Sequence, residues 1–184
     1  MKLSKTVVFV TGANRGLGLA LVQASLDAGA RRVYAGARDP AQLDALVRGA
    51  GERVVPVALD ITDPASLAAA AARAPDVAVL INNAGVLASY SVLTSSRDAI
   101  AQDFAVNLFG TLAATQAFVP ALTRAGAAGG AALVNILSVV SLASLPGLGG
   151  YSASKAASYS VTQALRSELA AKGIAVHAVL PGGI

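Results

Sequence analysis

Short, almost continuously apolar runs alternate along the chain with longer stretches in which Ala and Leu recur at helical spacing. The runs at 6–10, 32–35, 54–58, 77–81, 132–137 and 174–180 predict strands. The stretches at 16–28, 41–48, 64–72, 97–123 and 151–172 predict helices. Asp39-Pro40 and Asp63-Pro64 each place a capping carboxylate before a proline at the first helical position. Gly29 and Gly173 stand where a helix C-terminus favours a residue of positive φ. The strands lack polar alternation, so both of their faces are predicted to be covered, as in a parallel sheet. Strict alternation of strand and helix then predicts an α/β, doubly wound sheet with helices on both faces. No linker, repeat or composition shift divides the chain, and residues 1–184 are expected to form one domain.

Composition narrows the possible chemistry. With 184 residues, 55% hydrophobic and 13% charged, the chain is no disordered segment. It has no cysteine, which excludes a zinc–thiolate module and a disulfide scaffold, and no metal-ligand set is read from it. Fourteen Lys and Arg against ten Asp and Glu leave a net charge of +4, scattered apart from Arg31-Arg32, so no nucleic-acid partner is expected. The apolar part of the N-terminus is short and soon interrupted by Gly12, Asn14 and Arg15, unlike a signal peptide. The uncharged stretch 125–154 is long enough to span a bilayer. It is broken by Gly129-Gly130, Asn135, Ser138, Pro146 and Gly149-Gly150, which favours a buried strand running into a loop. The expectation is a cytoplasmic protein with no membrane partner.

The first strand leads directly into Thr11-Gly12-Ala13-Asn14-Arg15-Gly16-Leu17-Gly18 and then a helix. Glycines let such a turn approach a pyrophosphate, and the helix N-terminus offers free N–H groups and a positive dipole. Gly12, Asn14, Arg15, Gly16, Leu17 and Gly18 are therefore candidate cofactor contacts. A dinucleotide site often carries an acidic residue about 20 residues farther on, at the ribose 2′-hydroxyl. Here the second strand runs into Arg38, which with Arg15 suits a 2′-phosphate, although Asp39 adjoins it. NADP(H) is expected, with NAD(H) second.

Tyr151 and Lys155 stand one helical turn apart on the same face. A free tyrosine is a poor acid–base catalyst near neutrality, and a neighbouring ammonium stabilises its phenolate. Ser138 lies at the end of the fifth strand, and Asn82-Asn83-Ala84-Gly85 at the end of the fourth, the edge where doubly wound sheets bind ligands. Asn107 interrupts an otherwise apolar helix.

Together these motifs resemble the short-chain dehydrogenase/reductase family in its Thr-Gly-x3-Gly-x-Gly form. The resemblance runs from Thr11 to Pro181-Gly182 and includes the Asn-Asn-Ala-Gly turn, the helix asparagine, the serine and the Tyr-x3-Lys pair. Ala37-Arg38-Asp39 is similar to the NADPH-dependent carbonyl reductases of that family. The resemblance implies a Rossmann fold and a hydride-transferring oxidoreductase acting on a small carbonyl or alcohol substrate. It makes Tyr151 the proton donor and acceptor, Lys155 the partner of the nicotinamide ribose, and Ser138 a hydrogen-bond donor to the substrate oxygen. It implies that Asn107 supports a water-linked proton relay by bending its helix. Asn83, Ala84 and Gly85 would line the cofactor cleft, Asp60 and Ile61 would face the adenine, and Pro181 and Gly182 would bind the cofactor together with Tyr151 and Lys155. Val139, Val140 and Leu145 would line a substrate pocket for an uncharged carbonyl compound. The helices at 97–123 and 151–172 resemble the family's dimer-forming pair, so a homodimer or homotetramer is expected.

The family continues beyond Pro-Gly with a nicotinamide-binding threonine, a substrate lid and a final edge strand. None of these lies in this sequence, and the expectation is of a sheet without its C-terminal edge strand. The competing function is a non-catalytic NADP(H)-binding or signalling protein on the same fold. Retention of Ser138, Tyr151 and Lys155 weighs against it.

Overall fold

The computed structural model describes residues 2–183. The chain alternates through β1 (Val7–Thr11), α1 (Gly16–Asp27), β2 (Arg32–Ala37), α2 (Asp44–Ala50), β3 (Val54–Ala58), α3 (Pro64–Arg73) and β4 (Val79–Asn82). It continues through α4 (Arg97–Phe104), a π-helical segment (Ala105–Gly110), α5 (Thr111–Ala127), β5 (Ala131–Ile136), α6 (Gly149–Ala170) and β6 (Ile174–Val179). The six strands are parallel and ordered β3-β2-β1-β4-β5-β6. β1 pairs with β2 on one side and β4 on the other, so the chain reverses its direction of winding between β1 and β4. Such a switch point opens a crevice at the carboxyl ends of the strands.

Alternation along β1 shows why its whole run is apolar. Val7 and Phe9 join one buried cluster, with Leu80, Phe118, Leu122 and Leu133. Val8 and Val10 join the other, with Val22, Leu26, Val33 and Leu43. Successive side chains point to opposite faces of a strand, and here both faces are roofed by helices. The rings of Phe9 and Phe118 lie 4.6 Å apart, centre to centre, fastening α5 beneath the middle of the sheet.

Element ends move by a few residues from the sequence pattern, for local reasons. β2 continues to Ala37 because Gly36 and Ala37 find ladder partners in Val57 and Ala58. Asp39 caps a short 3-10 turn over Pro40–Leu43, accepting from Ala41 N at 3.0 Å, and the α-helix proper begins only at Asp44. Asp63 caps α3 through Ala65 N at 2.9 Å. α6 begins two residues before Tyr151, where Gly149 N donates to the carbonyl of Tyr90. The helix expected over 97–123 is helical to Ala127 but widens into the π segment around Asn107. Among the described residues, Arg97–Ala127 is the one helical run long and apolar enough to cross a bilayer, with mean hydropathy 1.3. In this fold α5 packs on β4, β5 and α3.

Candidate active site

Two recesses meet at the switch point, sharing Leu17, Asn83, Gly85 and Val86 in their walls. The larger, of about 990 Å³, runs over the turn after β1 towards Arg38 and Asp60, at the upper end of the range for cofactor sites. The smaller, of about 490 Å³, is walled by the segments after β4, β5 and β6 and by the start of α6.

The floor of the larger recess is set by backbone approach. Gly12 has φ +65°, and a Cβ on Gly18 would run into the carbonyl oxygen of Gly12 and the side chain of Asn83. Thr11 Oγ1 accepts from the N–H groups of Asn83 and Ala84 at 3.0 and 2.9 Å, while Asn83 Nδ2 donates to the carbonyls of Thr11 and Gly12. The two turns are thus held together as one surface. No side chain caps the N-terminus of α1, and its first turn carries no acidic residue. The free N–H groups there suit an anionic group, which is the fit a pyrophosphate requires.

Every loop residue expected at the cofactor lines this recess: Gly12, Asn14, Arg15, Gly16, Leu17 and Gly18. So do Arg38, Asp60, Ile61, Asn83, Ala84 and Gly85. Arg15 and Arg38 are both exposed, and Asp39 beside them is engaged by Ala41 N and by Gln42 Nε2. Hydrogen bonds from the hydroxyl and N–H of Thr62 hold the Asp60 carboxyl below the usual carboxylate range, helped by the charge of Arg38. Gln42 and Thr62 escaped the sequence reading. Gln42 accepts from Asn14 at 2.6 Å, a contact that only the fold creates, whereas the Asp60-x-Thr62 spacing of an Asx turn was available as a signal.

The smaller recess gathers Ser138, Tyr151, Lys155, Pro181 and Gly182 with Val139, Val140 and Leu145. Lys155 Nζ donates to the carbonyl of Ile136 at 3.1 Å and lies 5.8 Å from the centre of the Tyr151 ring. Burial pulls the Lys155 ammonium down to about 8. Burial pushes the Tyr151 hydroxyl above its ordinary value; the polar hydroxyl of Ser138 opposes this, and the charge of Asp103 reinforces it.

Asn107 is the one expected site residue that reaches neither recess. It is buried behind them, accepting from Val86 N at 2.9 Å and donating to Val86 O and Ser154 Oγ. Its main-chain carbonyl accepts from Ser158 Oγ at 2.8 Å, within the widened π turn. Asp103, one turn earlier, was missed, although its i, i+4 relation to Asn107 was legible.

The family model for short chain dehydrogenases matches residues 6–184. The chain belongs to the short-chain dehydrogenase family. It is 34% identical to the short chain dehydrogenase pigC of Monascus ruber, over 98% of this chain and 63% of that relative. It is also 34% identical to galactitol 2-dehydrogenase (L-tagatose-forming) of Cereibacter sphaeroides, over 98% of this chain and 72% of that one. A crystal structure of a short chain dehydrogenase from Burkholderia cenocepacia J2315 in complex with NADP superposes with a TM-score of 0.93 and 44% identity, covering all of this chain and 75% of that one. Other similar structures of this family and fold were solved with NAD or NADH. The chain therefore spans roughly two-thirds to three-quarters of the length of these relatives.

Proposed function

We propose that the protein is an NADP(H)-dependent oxidoreductase that interconverts a carbonyl compound and its alcohol, with Tyr151 as general acid and base. The observation that carries this reading is the convergence of Ser138, Tyr151 and Lys155 on one recess that opens into the glycine-floored cleft. When bound, the nicotinamide supplies or accepts the hydride.

The residues of the chain supply binding, orientation and the proton. The free N–H groups at the start of α1 hold the pyrophosphate, and Asp60 and Ile61 border the adenine end. Arg15 and Arg38 neutralise a 2′-phosphate; Asp39 competes less for that place because its carboxylate is occupied as a helix cap. Ser138 donates to the substrate oxygen, where negative charge develops during reduction. Tyr151 delivers its proton to the same oxygen, and in the reverse direction removes the proton from the alcohol. Lys155 places a positive charge next to the resulting phenolate and would hold the nicotinamide ribose. The apolar residues Val139, Val140, Leu145 and Leu148 favour an uncharged substrate.

The test is a screen of uncharged ketones and aldehydes with NADPH, following loss of its absorbance. Turnover in the wild type that falls at least about a hundredfold in Tyr151→Phe supports the reading. Cofactor binding without turnover of any carbonyl compound, in a chain extended to the length of its relatives, would favour a binding protein instead.

A further inference from the structure

Asp103 is fully buried, on the face of α4 that looks towards the loop after β4. Burying a carboxylate costs several kcal/mol unless donors replace its water. Three donors do so here: Ala88 N at 2.8 Å, Ser89 N at 3.1 Å and the hydroxyl of Ser89. Among the described residues no lysine or arginine pairs with it. All three donors belong to the loop whose earlier residues, Gly85 and Val86, wall both recesses. Asn107, on the next turn, grips the same loop through both the N–H and the carbonyl of Val86.

The contact continues to the catalytic helix. A Cβ on Gly150 would run into the Ser89 hydroxyl and would meet Ile100 at 3.1 Å, so the Asp103–Ser89 pair lies directly under the residue that precedes Tyr151. We propose that Asp103 is a positioning residue of this site: its carboxylate fastens the 86–89 loop beneath the start of α6 and so sets the surroundings of Tyr151. This assignment rests on the proposed role of Tyr151. Ser138, from the segment after β5, favours the Tyr151 phenolate and Asp103, from α4, opposes it, while Lys155 of α6 lies 5.8 Å from the ring centre. The turns 86–89 and 181–183 add no titratable side chain. Lys155 and Asp103 therefore act on the phenolate with opposite sign, the ammonium favouring it and the carboxylate opposing it.

The test uses ¹³C-tyrosine NMR of the free protein, in which the Tyr151 signal is identified by its loss in Tyr151→Phe. In Asp103→Asn the Tyr151 titration is expected to move to lower pH. The Ala88 and Ser89 amides should exchange with solvent at least about tenfold faster, and kcat/KM for a carbonyl substrate should fall about tenfold or more, while NADPH affinity changes by less than about twofold. Ser89→Ala keeps the charge and the two backbone bonds, so its Tyr151 titration should stay at or above that of the wild type, and it serves where Asp103→Asn does not fold. An unmoved Tyr151 titration in Asp103→Asn, or a fall in Ser89→Ala, overturns the assignment. A wild-type protein inactive on every carbonyl compound counts against the reaction instead, because the titration and the exchange are read without turnover.

Discussion

Lys155 and Tyr151 share one face of α6, and the ammonium of the first stands 5.8 Å from the ring centre of the second while donating to the carbonyl of Ile136. This places a positive charge in a site that burial makes unfavourable for it, and the consequence can be measured. The folded value of about 8 lies below the ordinary value of 10.5. Between these two the unfolded chain binds more protons than the folded one, so stability rises with pH across that window. Below it the full desolvation penalty is present, on the order of 3 kcal/mol. Lys155→Met should therefore raise the melting temperature of the free protein at pH 7, by roughly 6–12 °C, with the gain shrinking towards pH 10. A destabilised variant without pH dependence would show that the Ile136 carbonyl fully satisfies the charge.

Tyr151→Phe removes the transferable proton and little else. Turnover should fall by about 10²–10⁴-fold, the usual contribution of a positioned acid–base group. NADPH binding, read by calorimetry, should be within about twofold of wild type. A variant that keeps a tenth of the wild-type rate would assign the proton to another group.

Arg15 and Arg38 border the cleft where a 2′-phosphate would lie. NADPH should protect the wild type against heat more than NADH does at equal concentration. Arg38→Ala should weaken NADPH by about 1.5–3 kcal/mol, as for a lost hydrogen bond to a charged group, and leave NADH nearly unchanged. Equal protection by the two cofactors would refute the arginine argument.

Gly18, in the floor of the cleft, leaves no room for an added methyl. Gly18→Ala forces a Cβ against the carbonyl of Gly12 and the Asn83 side chain, both of which are held in hydrogen bonds. The expected cost is about 1–3 kcal/mol of stability, together with loss of binding for both cofactors. Chemical denaturation with and without NADPH separates the two effects. A variant of wild-type stability and affinity would mean that the turns are not locked together.

Phe109 is 61% exposed on the long helix of α4 and α5, a large apolar side chain where a monomer would place few. We expect a homo-oligomer in which that helix meets its copy, and Phe109→Asp should shift it towards monomer. Light scattering at about 10 μM checks both statements; a monomeric wild type would refute the expectation.

Most strand positions follow from apolar runs flanked by helical periods, because a strand covered on both faces has no polar alternation to confuse the pattern. The glycine turn and the Tyr151–Lys155 pair were equally legible, since each is a local spacing that chemistry constrains: a backbone that must approach a phosphate, and two side chains one turn apart. Ranges of elements were less so. The 3-10 turn before α2 and the early start of α6 depend on partners far along the chain, Tyr90 for Gly149 among them.

By itself, the sequence determined the layered α/β architecture, the order of its elements and the local motifs that the fold gathers along the two recesses. Only the tertiary structure decided that Asn107 stands behind the recesses, that Asp103 and Asn107 hold one loop between them, and that Lys155 sits at a depth which weakens its hold on a proton. The physical reason is range. Periodicity and spacing are properties of neighbours in the chain, whereas burial and the pairing of polar groups are set by segments dozens of residues apart that meet only when the sheet has formed.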